Sequence, residues 1–199
     1  MENLQEIKVQ TKEWSNPTPA GLVALAVACF CFFALLNGFV GHDALPIIGC
    51  WLIGGFVIQV VVGLLDLKGG NNTGGNTFLF FSAFFMLATG MGMFFKYFAG
   101  AGEISPVIDG YAWLCLSIVL ILWTPAFLKP FGILSLLVLT LCVALPFISL
   151  LDLGVLGAEF KVVPAYALLI AGLFGIYLSS AMVVNKAYGR EVYPLFLKK

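Results

Sequence analysis

The sequence predicts an all-α polytopic membrane protein of six transmembrane helices, with both termini cytoplasmic. Three observations carry this. First, the 199 residues are 61% hydrophobic and only 10% charged, where soluble domains carry about 25% charged residues. A water-soluble fold of this length has no interior large enough to hide so much apolar surface, so its solvent is lipid. Second, six apolar runs have the length, about 20 residues, that a helix needs to cross a bilayer. Third, the lysines and arginines are distributed unequally between alternate connections.

The runs fall at 19–40, 44–67, 77–98, 108–128, 131–151 and 163–184. Breakers separate them: "GHDALP" at 41–46, "KGGNNTGGN" at 68–76, "AGEISP" at 101–106 and "LKPFG" at 128–132. No connection is long enough to hold a soluble domain. The expected organisation is a polar N-terminal tail (1–15), a six-helix transmembrane domain (16–184) and a cytoplasmic C-terminal tail (185–199). The runs are too long for barrel strands. One side of the expected topology holds Lys8, Lys12, Lys68, Lys129, Lys186, Arg190, Lys198 and Lys199; the other holds only Lys96 and Lys161. Positive charge stays on the cytoplasmic side, which places the protein, multi-pass, in the cytoplasmic (inner or plasma) membrane. The polar, mixed-sign start is unlike a secretory leader.

The first span opens on "NPTPAGL" at 16–22. The first four N–H groups of a helix have no partner within it. Proline lacks the N–H and has a helical φ, so it costs nothing there. Asn16 is expected to cap, Pro17 to take the first helical position and Pro19 the third. Gly21 removes a side chain and lets another backbone approach; Leu22 begins the apolar run. At the far end, Asn37 before Gly38 reads most simply as a helix C-cap.

On the second span, Gly55, Gln59, Gly63 and Asp66 follow at steps of four, four and three, and so share one stripe. An amide in lipid is costly unless it faces protein or water. Gln59 is therefore either a pore-facing group able to donate to a carboxylate or a helix-to-helix hydrogen bond, worth about 0.6 kcal/mol. Asp66 is expected at the mouth of the helix, not as a buried charge. The third span begins "FLFFSAFF" at 78–85 and places Ser82, Met86 and Thr89 on one face. Gly172, Gly175, Ser179 and Met182 form a stripe on the sixth, a pattern more often seen at packing seams. His42 with Asp43, Lys96 and Asp109 fall at outer ends.

Several function classes are excluded by what the spans lack. No Asp, Glu, Lys, Arg or His lies near the middle of any span, where energised pumps and voltage sensors need such groups. No paired carboxylates, His cluster or Ser/His arrangement suggests an enzyme, and there is no phosphate-binding loop. Zero net charge gives no footprint for nucleic acid. Cys29, Cys31, Cys50, Cys115 and Cys142 sit in apolar runs without a CxxC pair, and read as small apolar residues. No metal or other cofactor is implied.

"NPTPAGL" before the first of six spans resembles the signature of the acetate uptake transporters, or succinate/acetate permeases, whose usual form is NPAPLGL. "GLLDLKGGNNTGGNTF" at 63–78 is similar to that family's GLLEYKKGNTFG stretch. "AGLFGIYLSSAMVVNKAYGREVYP" at 171–194 resembles its last helix and tail. The likeness covers nearly the whole chain. It implies a constriction of three side chains, usually Phe, Tyr and Leu, mapping here to Leu25, to Met86 or Leu87, and to Leu139 within "VLTL", beside Thr140. A nearby small residue maps to Gly175, and Gln59, Asn37 and Asp66 stand where the family has Gln, Asn and Glu. Aliphatic groups replace both aromatic ones, so the departure touches either register or substrate preference.

The resulting expectation is a passage for acetate and related short-chain carboxylate anions, succinate among them, across the lipid bilayer. The apolar ring would gate by size and dewetting. Asn16, Asn37, Gln59, Thr140 and Gly175 are the expected polar or pore-lining positions. The resemblance also implies a homo-hexamer with a pore in each protomer. The alternative from the residues alone is a non-conducting six-span scaffold or sensor, in which Gln59 only binds a neighbouring helix.

Overall fold

Each apolar run becomes a helix in the computed structural model, which describes residues 15–100, 103–129 and 132–196. The tail residues Lys8, Lys12, Lys198 and Lys199 lie outside the described residues. α1 spans Thr18–Leu36, α2 Leu45–Lys68, α3 Asn72–Phe80, α4 Thr89–Ala99, α5 Val107–Leu128, α6 Ile133–Asp152 and α7 Val162–Tyr188. A π-helical segment, Phe81–Ala88, joins α3 to α4, so that Asn72–Ala99 is one continuous third span. Six helices are thus long and apolar enough to cross a membrane, and no strand occurs among the described residues.

Three boundaries differ from expectation. The Gly/Asn-rich stretch 68–76 was expected to be a loop, yet α3 begins at Asn72. Asn71 caps it, Oδ1 accepting from Gly74 N at 3.0 Å. The next turn is reinforced by Asn76 and Thr77, which donate to the Asn72 and Thr73 carbonyls at 2.8 Å each. Gly75 is there for space: a Cβ would lie 2.6 Å from Leu67 Cγ. At the chain's end, α7 continues to Tyr188, and Asn185 pins the segment beyond it by accepting from Val192 N and Tyr193 N at 2.7 and 2.9 Å. At the start, α1 begins at Thr18, with Pro17 as the flanking residue. Asn16 still satisfies a free donor, its Oδ1 accepting from Thr18 N at 2.9 Å.

The spans form a ring. The third span packs on α2, α2 on α1, α1 on α7, α7 on α6 and α6 on α5. Aromatic contacts close it: Phe80 against Trp123 and Phe85 against Trp113, with ring centroids 5.4 and 5.6 Å apart. Glycines bring α2 and the third span together at two levels. A Cβ on Gly49 would meet Gly90 O at 2.9 Å, and one on Gly63 would meet Gly75 O at 3.0 Å. Such close backbones are the usual way for helices to associate in lipid. The exposed large side chains are themselves apolar, Trp51, Leu64, Phe84 and Leu122 among them. That suits a surface against lipid or other subunits.

The π segment decides what the ring's interior contains. An i→i+5 ladder stacks residues five apart instead of three or four. Phe81, Phe85 and Met86 consequently all turn inward and are buried. At the face of the bundle away from the termini, Lys96 Nζ meets Asp109 Oδ2 at 2.7 Å, and His42 Nε2 lies 3.1 Å from Lys96 O. His42, expected to be solvated, also stacks on Tyr97.

Candidate functional site

The ring encloses a cavity of about 240 Å³. It enters from the face that carries both helical termini of the bundle and ends near mid-span. Thr18, Asn71 and Thr73 stand at its mouth, and Leu25, Phe81, Leu120 and Leu141 at its deep end. The wall between is almost wholly apolar, with Leu22, Phe78, Phe127, Leu137 and Val138. α7 contributes no lining residue. Beyond the deep end the interior is filled by Phe32, Phe85, Met86 and Trp113, all buried. Phe32 stacks on Phe85 with centroids 5.4 Å apart.

Gln59 is the one buried amide in the wall. It is 1% exposed, and its Nε2 donates to Gly21 O at 3.1 Å. Its Oε1 has no hydrogen-bond partner. A buried, unpartnered acceptor costs about 1–3 kcal/mol, so it points to a ligand or to water. The stripe expected on α2 holds: Gly55, Gln59, Gly63 and Asp66 are all buried. Gly55 makes room for the third span, since a Cβ there would lie 2.9 Å from Met86 Sδ. One of the two Gln59 N–H groups is taken by Gly21 O, which leaves the second as a donor.

Asp66 corrects a second expectation. It is at the mouth, but buried, at 4% exposed. Thr18 Oγ1 donates to its two oxygens at 3.2 and 3.3 Å, and Asn71 Nδ2 donates to Oδ2 at 3.1 Å. Gly21 admits a ring instead of the backbone expected: a Cβ would fall 2.5–3.0 Å from three atoms of Phe78.

The other expected positions divide. Leu22 and Leu25 line the cavity. Met86 is fully buried while Leu87 is half-buried, so of these two it is Met86 that faces the interior. Leu139 is not in the ring: it is 39% exposed, and Leu137, Val138 and Leu141 take the inner face of α6. Thr140 lies off the cavity too, its hydroxyl donating to Leu137 O at 2.7 Å. Gly175 is a packing position, where a Cβ would come within 3.3 Å of Leu22 O and 3.7 Å of Leu137 Cδ1. Asn37 caps α1, Nδ2 donating to Phe33 O at 2.9 Å, and Asn16 is exposed; neither lines the cavity. Pro17 and Pro19 are half-buried parts of the helix entry.

Sequence reasoning missed Asn71, Thr77, Phe78, Phe81, Leu120 and Phe127. An Asn three residues before Gly74 is a readable cap, but the paired glycines that follow conceal the helix. The apolar lining residues carry no signal that separates them from the rest of the core.

Fold and site together define a six-span integral membrane protein with a blind, apolar cavity open on one face. No protein-family model matches the sequence, and no curated protein matches it. Among solved structures, the chain is similar to the bacterial acetate channel SatP, with a TM-score of 0.80 at 22% identity, covering 92% of this chain and 99% of that one. At that identity the likeness establishes a shared fold.

Proposed function

We propose that this protein is a passage for acetate and related short-chain carboxylic acids, with one path through each protomer. The observation that carries the reading is the cavity. It is apolar, large enough for a small acid, and reaches about half-way along the spans, with Gln59, whose buried Oε1 has no partner, among its lining residues. The shared fold with an acetate channel points the same way. An apolar wall suits a methyl group, and the seal of Phe32, Phe85, Met86 and Trp113 beyond it keeps hydrated inorganic ions out. The cavity and its lining supply no constellation for catalysis, and favour a transporter over an enzyme. We further propose that residues 16–184 form the transporting domain, that both termini are cytoplasmic and that protomers assemble as a hexamer, succinate being a candidate second substrate.

The test is uptake of labelled acetate by liposomes containing the purified protein. Uptake above that of protein-free liposomes, saturating with concentration, is the expected result. Uptake equal to that of empty liposomes across a range of pH overturns the proposal.

A further inference from the structure

We infer that the seam between the third span and α5 holds a binding site for a single-chain fatty acid drawn from the bilayer. The site lies on the lipid-facing side of the ring, outside the central cavity, and does not depend on the transport reading.

The other neighbouring spans pack helix on helix, but the third span and α5 share no extended backbone contact. Side chains bridge them at three levels: Lys96 to Asp109 at the far end, then Phe85 to Trp113, then Phe80 to Trp123. Below the last bridge, at the end that carries the helical termini, the seam opens into a slot of about 370 Å³. Its two walls differ in kind. Asn72, Thr73 and Asn76 form one, because the third span starts with a polar turn. Leu122, Trp123 and Pro125 form the other, from the apolar end of α5. Leu122 and Pro125 are exposed on the outer surface of the bundle, so the slot opens toward lipid.

A slot with donors on one wall and alkyl surface on the other suits an amphiphile. Asn76 Nδ2 donates to Asn72 O and Oδ1 at 2.8 and 3.1 Å, which leaves the Asn72 N–H groups as the open end of that amide. Those N–H groups and the Thr73 hydroxyl hydrogen have no acceptor among the described residues. No Asp or Glu among the described residues lines the slot. Asp66, the acid nearest in sequence to Asn72, is already held by Thr18 and Asn71. Lys129 follows Pro125 by four residues, one turn nearer the end of the bundle and on the same stripe of α5. It is exposed and has no ion-pair partner among the described residues. A carboxylate thus meets donors and a cation at headgroup level, while its chain runs along Leu122 and Trp123 into lipid. The slot has the volume of a small-molecule pocket, well short of a two-chain lipid. Thr73 and Ala126 also line the central cavity, so the bound head lies beside its mouth.

The test uses the full chain in phosphatidylcholine nanodiscs at alkaline pH, where the probe, a fatty acid brominated in mid-chain, is ionised. Bromine quenches tryptophan fluorescence on contact, and Trp123 stands six residues, about 9 Å, along α5 from Lys129. Expected is a saturable quench, on top of a diffuse linear one from exposed Trp51. Unbrominated decanoate reverses the saturable part, and decanol, which has the same chain without the charge, does not. Trp123→Phe removes the saturable part. Lys129→Gln raises the concentration for half-quenching about fivefold, which is what one lysine adds to the hold on an anionic lipid. Host phosphatidylcholine brominated in mid-chain gives the diffuse part alone. Quenching that is linear throughout, as when a second copy of this chain covers the seam, overturns the inference. So does a saturable part that survives Trp123→Phe, that decanol reverses as well as decanoate does, or that brominated phosphatidylcholine reproduces. The competition on the unaltered chain decides the matter even if a variant fails to fold. Binding is read without transport, so acetate uptake at background in liposomes leaves this inference standing.

Discussion

Gly21 is where helix packing and the cavity wall meet, and Gly21→Ala tests both. A methyl at this position would lie 2.5, 2.8 and 3.0 Å from Cε1, Cζ and Cδ1 of Phe78, inside the closest approach that carbon atoms adopt. Phe78 is buried and lines the cavity, so it yields either by swinging into that space or by parting α3 from α1. Overpacking of this kind costs about 1–3 kcal/mol. For a chain of this size that corresponds to a fall in Tm of roughly 2–12 °C. Parting α1 from its neighbours also draws Gly21 O away from Gln59 Nε2, so acetate uptake should fall along with stability. The decisive measurement is a double-mutant cycle on thermal unfolding in detergent. Phe78→Ala removes the obstacle, so adding Gly21→Ala to it should cost under about 0.5 kcal/mol. If Gly21→Ala is as damaging with Phe78 absent as with it present, the clash is not the cause and the reasoning fails.

Further expectations concern the rest of the site. Leu137→Ala should destabilise by about 2–5 kcal/mol and raise uptake of butyrate relative to acetate, whereas Leu139→Ala, on the outer face, should leave that ratio unchanged; the two are compared in one liposome assay. Asp66→Ala strips the Thr18 hydroxyl and the Asn71 amide of their acceptor and should cost about 1–3 kcal/mol, with Asp66→Asn closer to the parent because one acceptor oxygen stays; thermal unfolding ranks the three. Met86→Ala should lower stability by about 2–5 kcal/mol without admitting inorganic ions, as read from planar-bilayer conductance in potassium chloride. Truncating Lys96 breaks an ion pair whose side chains are 32% and 42% exposed, so Lys96→Ala should shift stability by under about 1 kcal/mol.

The fold was largely legible because lipid imposes a simple rule. Every span must be apolar and about 20 residues long, so the six runs stood out despite having almost no amphipathic face. The same uniformity hides the site: Leu120 and Leu122 look alike in sequence, yet one is fully buried and lines the cavity while the other is 71% exposed. Gln59 was readable because an amide in lipid has to face something, and its glycine neighbours mark the stripe. The direction of its hydrogen bond was not readable, since that depends on where the Gly21 carbonyl falls. The family resemblance left Met86 and Leu87 open by one gap, although helical spacing already grouped Met86 with Ser82, and that pair is buried. The π segment adds a residue to the turn, which brings Phe81 and Phe85 inward together with Met86. On α6 the family-based alignment slipped instead, choosing Leu139 where the inner face holds Leu137 and Leu141.

The barrier beyond the cavity is held in common. Phe32 comes from α1, Phe85 and Met86 from the π segment and Trp113 from α5, so three separate spans meet in one plug of three rings and a thioether. Shortening any one of these side chains leaves the others in place, which is why a single accidental substitution is a poor route to a leak. On the proposed reading, redundancy in this plug guards the ion gradients, and a small solute passes once its rings rotate where they stand.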